Sequence, residues 1–209
     1  MKVTKYPQSC LLIENDGNRV LIDPGNLVTP HYGLADFGEL DGVIYTHLHG
    51  DHLEEAFAKE ISQSAVPMYA NQDAIKEKLQ GIPNVTELEA GNTYKIAGFS
   101  VRTYDLPHFS VEGVEMPMNT GLVIADTVFH PGDSVVISGA HADIAAVPIG
   151  GPYEDFFKQA SELADKSHAK VIIPIHYEGH YKPDPNDFVR QYSGPAEIVV
   201  LKNGQSAEL

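Results

Sequence analysis

The order of strand-like and helix-like segments is the feature that most constrains the fold of this chain. Short apolar runs predict strands at residues 9–14, 19–23, 42–46, 66–70, 94–96, 100–106, 120–124, 127–129, 144–147, 171–175 and 197–201. Helical spacing and capping residues predict helices at 53–62, 71–79, 153–167 and 186–192. Two strand-rich stretches, each followed by helices, indicate an αββα arrangement of two packed sheets with helices outside. The order of the elements leaves the strand topology open.

The length and organisation of the chain indicate one structural unit. Its 209 residues are the size of one domain or at most two small ones. The sequence contains no internal repeat, no low-complexity tract and no linker long enough to mark a boundary. We therefore expect residues 1–209 to form a single domain.

Composition narrows the range of partners and compartments. Acidic residues outnumber basic ones 29 to 14, and the net charge of -15 repels phosphate backbones and anionic membrane surfaces, so we expect no nucleic acid partner and no membrane. Cys10 is the one cysteine, which excludes an intramolecular disulfide and an all-thiolate metal site. Residues 1–10 lack a secretory apolar segment, and no run approaches the roughly 18 apolar residues that span a bilayer. We expect a cytoplasmic protein, and the sequence does not predict its oligomeric state.

The segment Thr-His-Leu-His-Gly-Asp-His at residues 46–52 carries most of the functional information. In an extended backbone, alternate side chains point the same way, so His47, His49 and Asp51 can converge, while His52 falls near the start of the next helix. Imidazole and carboxylate together suit Zn²⁺, and also Fe, Mn or Ni. Four donors in six residues exceed what one ion takes from so short a segment, which favours two adjacent ions. The alternative is a histidine-rich surface loop or histidines satisfied by core hydrogen bonds.

Further donors follow other predicted strands. His108 follows the strand at 100–106, Asp133 follows 127–129, and His176 follows 171–175. Loops at strand ends are where rigid scaffolds usually place functional groups. These three side chains are therefore candidates to complete a metal site begun at residues 46–52.

These motifs, taken in order, resemble those of the metallo-β-lactamase superfamily. The segment at 46–52 is followed by Leu-Pro-His at 106–108, Pro-Gly-Asp-Ser at 131–134 and Pro-Ile-His-Tyr at 174–177. The match extends to Leu-Ile-Asp-Pro-Gly at 21–25 and Val-Pro-Ile-Gly-Gly at 147–151, so the landmarks span roughly residues 9–177. The short length resembles the small bacterial and archaeal metal-dependent hydrolases related to ascorbate-phosphate lactonase.

The resemblance implies an α+β fold, a four-layer αββα sandwich of two mixed sheets, as a single metallo-β-lactamase-like domain with its metals at one sheet edge. It also implies two divalent metal ions, with zinc preferred and manganese or iron as alternatives. Carried over by motif, the first ion is held by His47, His49 and His108, the second by Asp51, His52 and His176, and Asp133 bridges both.

Such a site predicts a dinuclear metal-dependent hydrolase that cleaves a small-molecule ester, lactone or phosphodiester. Two divalent ions about 3.5–4 Å apart lower the pKa of a shared water, and the resulting hydroxide attacks carbon or phosphorus. We expect Asp51 to orient that hydroxide and to move a proton to the leaving group. Tyr177 and His180 follow His176 and are candidates to donate a hydrogen bond to the substrate; an exposed polar loop is the alternative.

The sequence leaves open several roles for individual residues and several functions for the chain. Asp23 either accepts a hydrogen bond from a ligand or simply forms a turn, and Gly150–Gly151 either meet an anionic group or form a plain turn. His130 is expected to support the site or the core rather than to bind metal. The alternative functions are an iron-dependent oxidoreductase or dioxygenase on the same fold and a non-catalytic metal-binding module.

Overall fold

The computed structural model describes residues 1–136 and 139–209. Within them the strands are β1 (Lys2–Lys5), β2 (Leu11–Asn15), β3 (Asn18–Ile22), β4 (Gly42–Tyr45), β5 (Met68–Ala70), β6 (Val85–Glu87), β7 (Thr93–Ile96), β8 (Phe99–Asp105), β9 (Thr120–Ile124), β10 (Val128–His130), β11 (Ile144–Pro148), β12 (Val171–Ile175), β13 (Glu197–Ile198) and β14 (Ser206–Glu208). The α-helices are α1 (Glu55–Gln63), α2 (Gln72–Glu77), α3 (Phe156–Lys166) and α4 (Pro185–Gln191), and a short 3₁₀ helix spans Leu34–Phe37.

The strands form two mixed sheets of seven strands each. The first has the order β14-β1-β2-β3-β4-β5-β6, and the second has the order β13-β12-β11-β10-β9-β8-β7. Strands β3 to β6 run parallel in the first sheet, and β10 to β13 run parallel in the second. The remaining neighbours in each sheet are antiparallel.

The core follows from the period-two alternation of side chains along each strand. Leu11 and Ile13 of β2 pack between the sheets with Leu122 and Ile124 of β9, whereas Leu12 points outward into a second cluster that includes the apolar face of α1. A third cluster joins β11 and β12 to α3 on the far side of the second sheet. The layers therefore run α/β/β/α, which confirms the predicted four-layer sandwich of two mixed sheets.

The structure differs from the sequence-based expectations at several elements. The sequence pattern does not predict strands β1, β6 and β14, because they are short and largely polar. Helix α1 begins at Glu55 rather than at residue 53, since the backbone N–H groups of His52 and Leu53 turn back to the carbonyl of His49. Helix α3 begins at Phe156 rather than at residue 153. The strand expected at 197–201 is limited to β13, Glu197–Ile198. That residues 1–209 form one domain stays a prediction.

The sheets bring several strand ends to a common edge. Strand β4 of the first sheet ends at Tyr45, and the next residue, Thr46, accepts a backbone hydrogen bond from Thr120 of the second sheet at 2.9 Å. Strands β8, β10 and β12 end in loops at the same edge, because they run in one direction within the second sheet. None of the helices in the described ranges has the length and apolar character needed to traverse a bilayer.

Candidate metal centre

The structure brings together all seven side chains that the sequence predicts as metal ligands. The loop after β4 supplies four of them, and the loops after β8, β10 and β12 supply one each. Their donor atoms form two groups, and within each group every donor atom lies within 4.8 Å of the others. The first group is His47, His49, His108 and Asp133, and the second is Asp51, His52 and His176.

Asp133 lies between the two groups. Its Oδ2 is 3.4 Å from His108 Nε2 in the first group and 3.0 Å from His176 Nε2 in the second, and its Oδ1 is 3.1 Å from His52 Nε2. In the second group, Asp51 Oδ2 is 3.5 Å from His176 Nε2. One buried carboxylate therefore contacts nitrogens of both groups.

The hydrogen bonds of three buried histidines leave their Nε2 atoms facing the candidate metal centre. His52 Nδ1 donates to Asp23 Oδ2 at 2.7 Å, His108 Nδ1 to the Phe109 carbonyl at 2.7 Å, and His176 Nδ1 to the Gly150 carbonyl at 2.7 Å. Since these oxygens only accept, each ring carries its proton on Nδ1 when neutral and directs the Nε2 lone pair inward.

The unpaired atoms of the centre test whether a cation fits. His47 Nε2, His52 Nε2 and Asp133 Oδ1 are buried yet have no hydrogen-bond partner in the described part of the chain. His52 Nε2 and Asp133 Oδ1 are close, but they lack the alignment of a hydrogen bond. Buried polar atoms without partners are costly, and a divalent cation satisfies imidazole and carboxylate donors at once. The donor set therefore fits metal ions.

Burial and neighbouring charges shift the pKa values of the groups in this centre. Burial opposes the charged form of Asp133, but His176 and His52 outweigh it and hold the pKa of this carboxyl well below its usual range. Burial likewise disfavours protonated His176, yet Asp133 outweighs burial and raises its pKa to about 9. Burial and then His52 hold the pKa of His47 well below its usual range. Positive charge is thus favoured next to Asp133, whether as protons or as a metal ion.

Asp23 and two glycines shape the loops around the donors. The Asp23 side chain is fully buried and accepts from Thr46 N at 2.7 Å and Thr46 Oγ1 at 2.6 Å as well as from His52. Of the two readings of Asp23, the structure therefore shows the one in which it supports a candidate ligand. A Cβ on Gly25 would lie 2.0 Å from the Asp51 carbonyl, and one on Gly150 would lie 2.2 Å from the His176 carbonyl.

Two functional amides were missed by reasoning from the sequence. Asn119 Nδ2 donates to the carbonyls of Leu106 and Pro131, and its Oδ1 accepts from Asp133 N at 3.0 Å, so it ties the His108 and Asp133 loops together. Gln8 Nε2 donates to Asp51 Oδ2 at 2.8 Å. Neither residue belongs to a motif, and no sequence signal identified them.

The structure gives different surroundings to the remaining candidates His180, Tyr177 and His130. His180 is exposed and lines the cavity beside the centre, whereas the Tyr177 hydroxyl donates to the Leu201 carbonyl at 3.2 Å, and Tyr177 is not among the cavity residues. The expected catalytic role of Tyr177 stays a prediction, and its hydroxyl is engaged by a backbone carbonyl. His130 is buried between the Ser9 carbonyl and Gly132 N, as expected of a supporting residue.

Gly150 and Gly151 serve packing. Helix α3 starts five residues after Gly151, so the pair is not at a helix N-terminus. The Gly150 carbonyl orients His176, and a Cβ on Gly151 would collide with the Phe156 ring. The plain-turn reading of these glycines is the one that the structure supports.

A cavity of about 280 Å³ opens onto the donors. Its polar lining residues are Gln8 and His180 beside five candidate ligands, and its other lining residues form an apolar wall. The apolar wall is formed by Phe109, Val111, Val114, Met116 and the ring of Tyr181. No lysine or arginine lies among the described lining residues.

Comparisons with known proteins agree with this fold. A family model described as "Beta-lactamase superfamily domain" matches residues 2–176. A relative from Pyrococcus abyssi, named a UPF0173 metal-dependent hydrolase, is 29% identical over 227 residues and is matched over 100% of both chains. A similar relative from Methanopyrus kandleri bears the same family name, with 29% identity over 232 residues and 100% of both chains.

Solved structures show the same fold at lower identity. Igni18, a metallo hydrolase from Ignicoccus hospitalis, aligns with a TM-score of 0.79 and 22% identity over 99% of this chain and 97% of its own. CmlA, a diiron β-hydroxylase from Streptomyces venezuelae, aligns with a TM-score of 0.76 and 15% identity over 100% of this chain and 54% of its own.

The names of the relatives confirm the expectation of a metal-dependent hydrolase, and the link to ascorbate-phosphate lactonase stays a prediction. On the match over residues 2–176 and the fold described above, the chain belongs to the beta-lactamase superfamily.

Proposed function

We propose that this protein is a hydrolase that uses two divalent metal ions to cleave a small ester or lactone. His47, His49 and His108 would hold the first ion, Asp51, His52 and His176 the second, and Asp133 both. The observation that carries the proposal is the position of Asp133, whose oxygens lie 3.0 Å and 3.1 Å from His176 and His52 and 3.4 Å from His108.

The chain's own residues supply proton transfer and orientation. When bound, divalent ions lower the pKa of water and stabilise negative charge that develops on the substrate. Asp51 is the candidate proton carrier, because its side chain is 30% exposed at the cavity while the donors around it are buried. Its Oδ2 is held by Gln8, and within the described residues no hydrogen bond reaches its Oδ1. Oδ1 can therefore accept a proton from the attacking water and deliver it to the leaving group.

The cavity favours an uncharged substrate over a phosphodiester. Apolar side chains form one wall, and the exposed Glu112 and Glu115 lie in the same loop as Val111, Val114 and Met116. The net charge of -15 repels anions that approach from solution, and bound ions would offset this repulsion only at the metal centre itself. With about 280 Å³ of space, the cavity suits a small ester or lactone with an apolar substituent.

Metal content and substrate preference test the proposal together. Protein purified without added metal should contain two equivalents of zinc or manganese, and dialysis against a chelator should abolish activity that either ion restores. The catalytic efficiency on p-nitrophenyl butyrate and γ-butyrolactone should exceed that on bis(p-nitrophenyl) phosphate by at least about tenfold, a pocket effect of roughly 1.4 kcal/mol. One bound ion, or no turnover of any of these substrates by metal-loaded protein, would contradict the proposal.

The same measurement addresses the oxidoreductase alternative. Two equivalents of iron, with oxygen consumption and without hydrolysis, would replace the hydrolase by an iron-dependent oxygenase. The relation to CmlA does not favour that outcome, because at 15% identity it concerns the fold alone.

A further inference from the structure

Gln8 has an unusual backbone conformation for a side chain of its size. Its φ is +63°, in the left-handed region that favours glycine, and only 1% of its surface is exposed. A non-glycine residue in this region is strained and persists only where its surroundings fix it. The contacts of Gln8 therefore need to explain why the chain holds it there.

The hydrogen bonds of Gln8 determine the orientation of its amide. Oε1 accepts from the backbone N–H groups of Glu178 at 3.2 Å and Gly179 at 2.9 Å, so this atom is the oxygen. The other end is then the NH₂ group, and it donates to Asp51 Oδ2 at 2.8 Å. A reversed amide would place nitrogen against two donors and oxygen against a carboxylate.

An ion pair between the buried Lys5 and the partly buried Glu178 holds the backbone of Gln8. Glu178 Oε2 accepts from Gln8 N at 2.7 Å, and Glu178 Oε1 accepts from Lys5 Nζ at 2.7 Å. The Lys5 side chain is fully buried, and its ammonium group also donates to the Tyr6 carbonyl and to Asn203 Oδ1. Because a buried ammonium group needs such partners, the Lys5–Glu178 pair is fixed in place and fixes Gln8 in turn.

Gln8 touches two members of the second group. Its side chain binds Asp51, and its carbonyl accepts from the His176 backbone N at 3.0 Å. The Asp51 oxygen that it binds, Oδ2, is the one 3.5 Å from His176 Nε2 and 3.9 Å from His52 Nε2. Gln8 therefore determines which Asp51 oxygen faces the histidines.

We propose that Gln8 is a positioning residue for the second metal ion, held in register by the Lys5–Glu178 pair. It orients Asp51 so that Oδ2 points to His52 and His176 and Oδ1 is left for proton transfer. A neutral amide suits this position, because a carboxylate there would set a second negative charge against Asp51. This inference rests on the proposed function in taking Asp51 as a ligand of the second ion, and its test does not depend on turnover.

The test compares two amide-to-carboxylate hydrogen bonds of similar length. Gln8→Met removes the hydrogen-bonding group while keeping the length of the side chain. Gln159→Met is the matched control, because Gln159 Nε2 donates to Asp155 Oδ1 at 2.9 Å on the exposed side of α3, outside the described cavity lining. Metal-free protein is titrated with Co²⁺, followed by its visible spectrum, and with Zn²⁺ by equilibrium dialysis.

The expected result is selective. Gln8→Met should weaken binding of the second ion by about 10- to 100-fold and leave the first ion within a few-fold, as substitutions of residues that orient metal ligands do. Its kcat should fall more than its KM changes. Gln159→Met should bind both ions like the wild type.

A second variant keeps the proposal testable if methionine disturbs folding. Asn tolerates positive φ better than most residues, so Gln8→Asn should fold normally while its shorter side chain fails to reach Asp51. It should also lose affinity for the second ion at an unchanged melting temperature.

The outcomes separate this inference from the proposed function. Wild-type affinity for both ions in folded Gln8→Met and Gln8→Asn would overturn the role of Gln8 even if the enzyme hydrolyses esters. Two bound ions without hydrolysis in the wild type, with the second lost in Gln8→Met, would overturn the proposed function alone. A wild type that binds a single ion would overturn both.

Discussion

The two groups of candidate ligands differ in what holds them in place. In the first group, His47 Nδ1 lies 3.1 Å from Thr46 Oγ1, and His108 Nδ1 donates to the Phe109 carbonyl at 2.7 Å. Each of these partners is the adjacent residue in the sequence. His47 and His108 are therefore oriented by their own loops, and Asn119 joins the loops of His108 and Asp133.

The second group is oriented by distant parts of the chain. His52 is held by Asp23, 29 residues away, and His176 by Gly150, 26 residues away. Asp51 is held by Gln8, 43 residues away. The geometry of the second group thus depends on how the segments after β1 and β3 of the first sheet meet the segment after β11 of the second. Substitutions remote in sequence should therefore affect it most.

Asp133 is shared by both groups, so its loss should have the largest effect. Asp133→Ala removes a carboxylate that, alone among the described residues, contacts nitrogens of both groups. Binding of both ions should fall by more than about 100-fold, which is the upper range for residues that only support ligands. Metal analysis after gel filtration measures this. Asp126→Ala, at an exposed turn, is the control. Retention of one ion at wild-type affinity would show that Asp133 belongs to a single group.

Asp23→Asn should weaken the second ion specifically. The amide can still accept from Thr46 N through one oxygen, but its NH₂ group would face His52 Nδ1 and disrupt that hydrogen bond. We expect about a 10- to 100-fold loss of affinity for the second ion, with a decrease of about 1–3 kcal/mol in the free energy of unfolding. Sequential Zn²⁺ binding and urea unfolding measure the two effects. An equal loss at both ions would contradict the comparison of the groups.

Thr46→Val should weaken binding of the first ion, and by less than Asp23→Asn weakens binding of the second. Thr46 Oγ1 donates to Asp23 Oδ2 at 2.6 Å, so it accepts from His47 Nδ1, and valine preserves the shape without either bond. His47 is also fixed by its buried backbone, so the first ion should lose less than about tenfold in affinity. The same Zn²⁺ titration applies. Should the second ion suffer more than the first, the support of His47 would be less local than the structure indicates.

The contrast between local and distant support also explains what the sequence could predict about the fold. Short runs of consecutive apolar residues predict β2, β3 and β9, because both faces of these strands are buried along those runs. The sequence does not predict β1 and β14, since Lys2 and Thr4 of β1 pair with Glu208 and Ser206 of β14 at a polar sheet edge. Such strands are defined by their partners rather than by their own pattern.

The site was predictable to the extent that its residues stand in motifs. The seven candidate ligands follow strands in recognisable segments, whereas Gln8 and Asn119 are single amides whose roles arise from loops that meet in space. Tyr177 shows the converse. His176 adopts φ +58°, which turns the chain, so the side chain after it points to the Leu201 carbonyl instead of the cavity. Adjacency to a ligand in the sequence does not fix the direction of a side chain.

The smallest effect on metal binding should come from the apolar wall, which supports neither group. Val114 lines the cavity and is 55% exposed, so Val114→Lys should leave folding and both ions unchanged while adding a cation beside the substrate. We expect the catalytic efficiency on p-nitrophenyl butyrate to fall by about tenfold and that on bis(p-nitrophenyl) phosphate to rise, because pocket contacts of this kind are worth about 1–3 kcal/mol. Val189→Lys on α4 is the matched control, since Val189 is 41% exposed and is not a described cavity residue. A change in metal affinity in Val114→Lys would show that the apolar wall and the metal centre are coupled. An unchanged ratio of the two catalytic efficiencies would show that Val114 does not face the substrate.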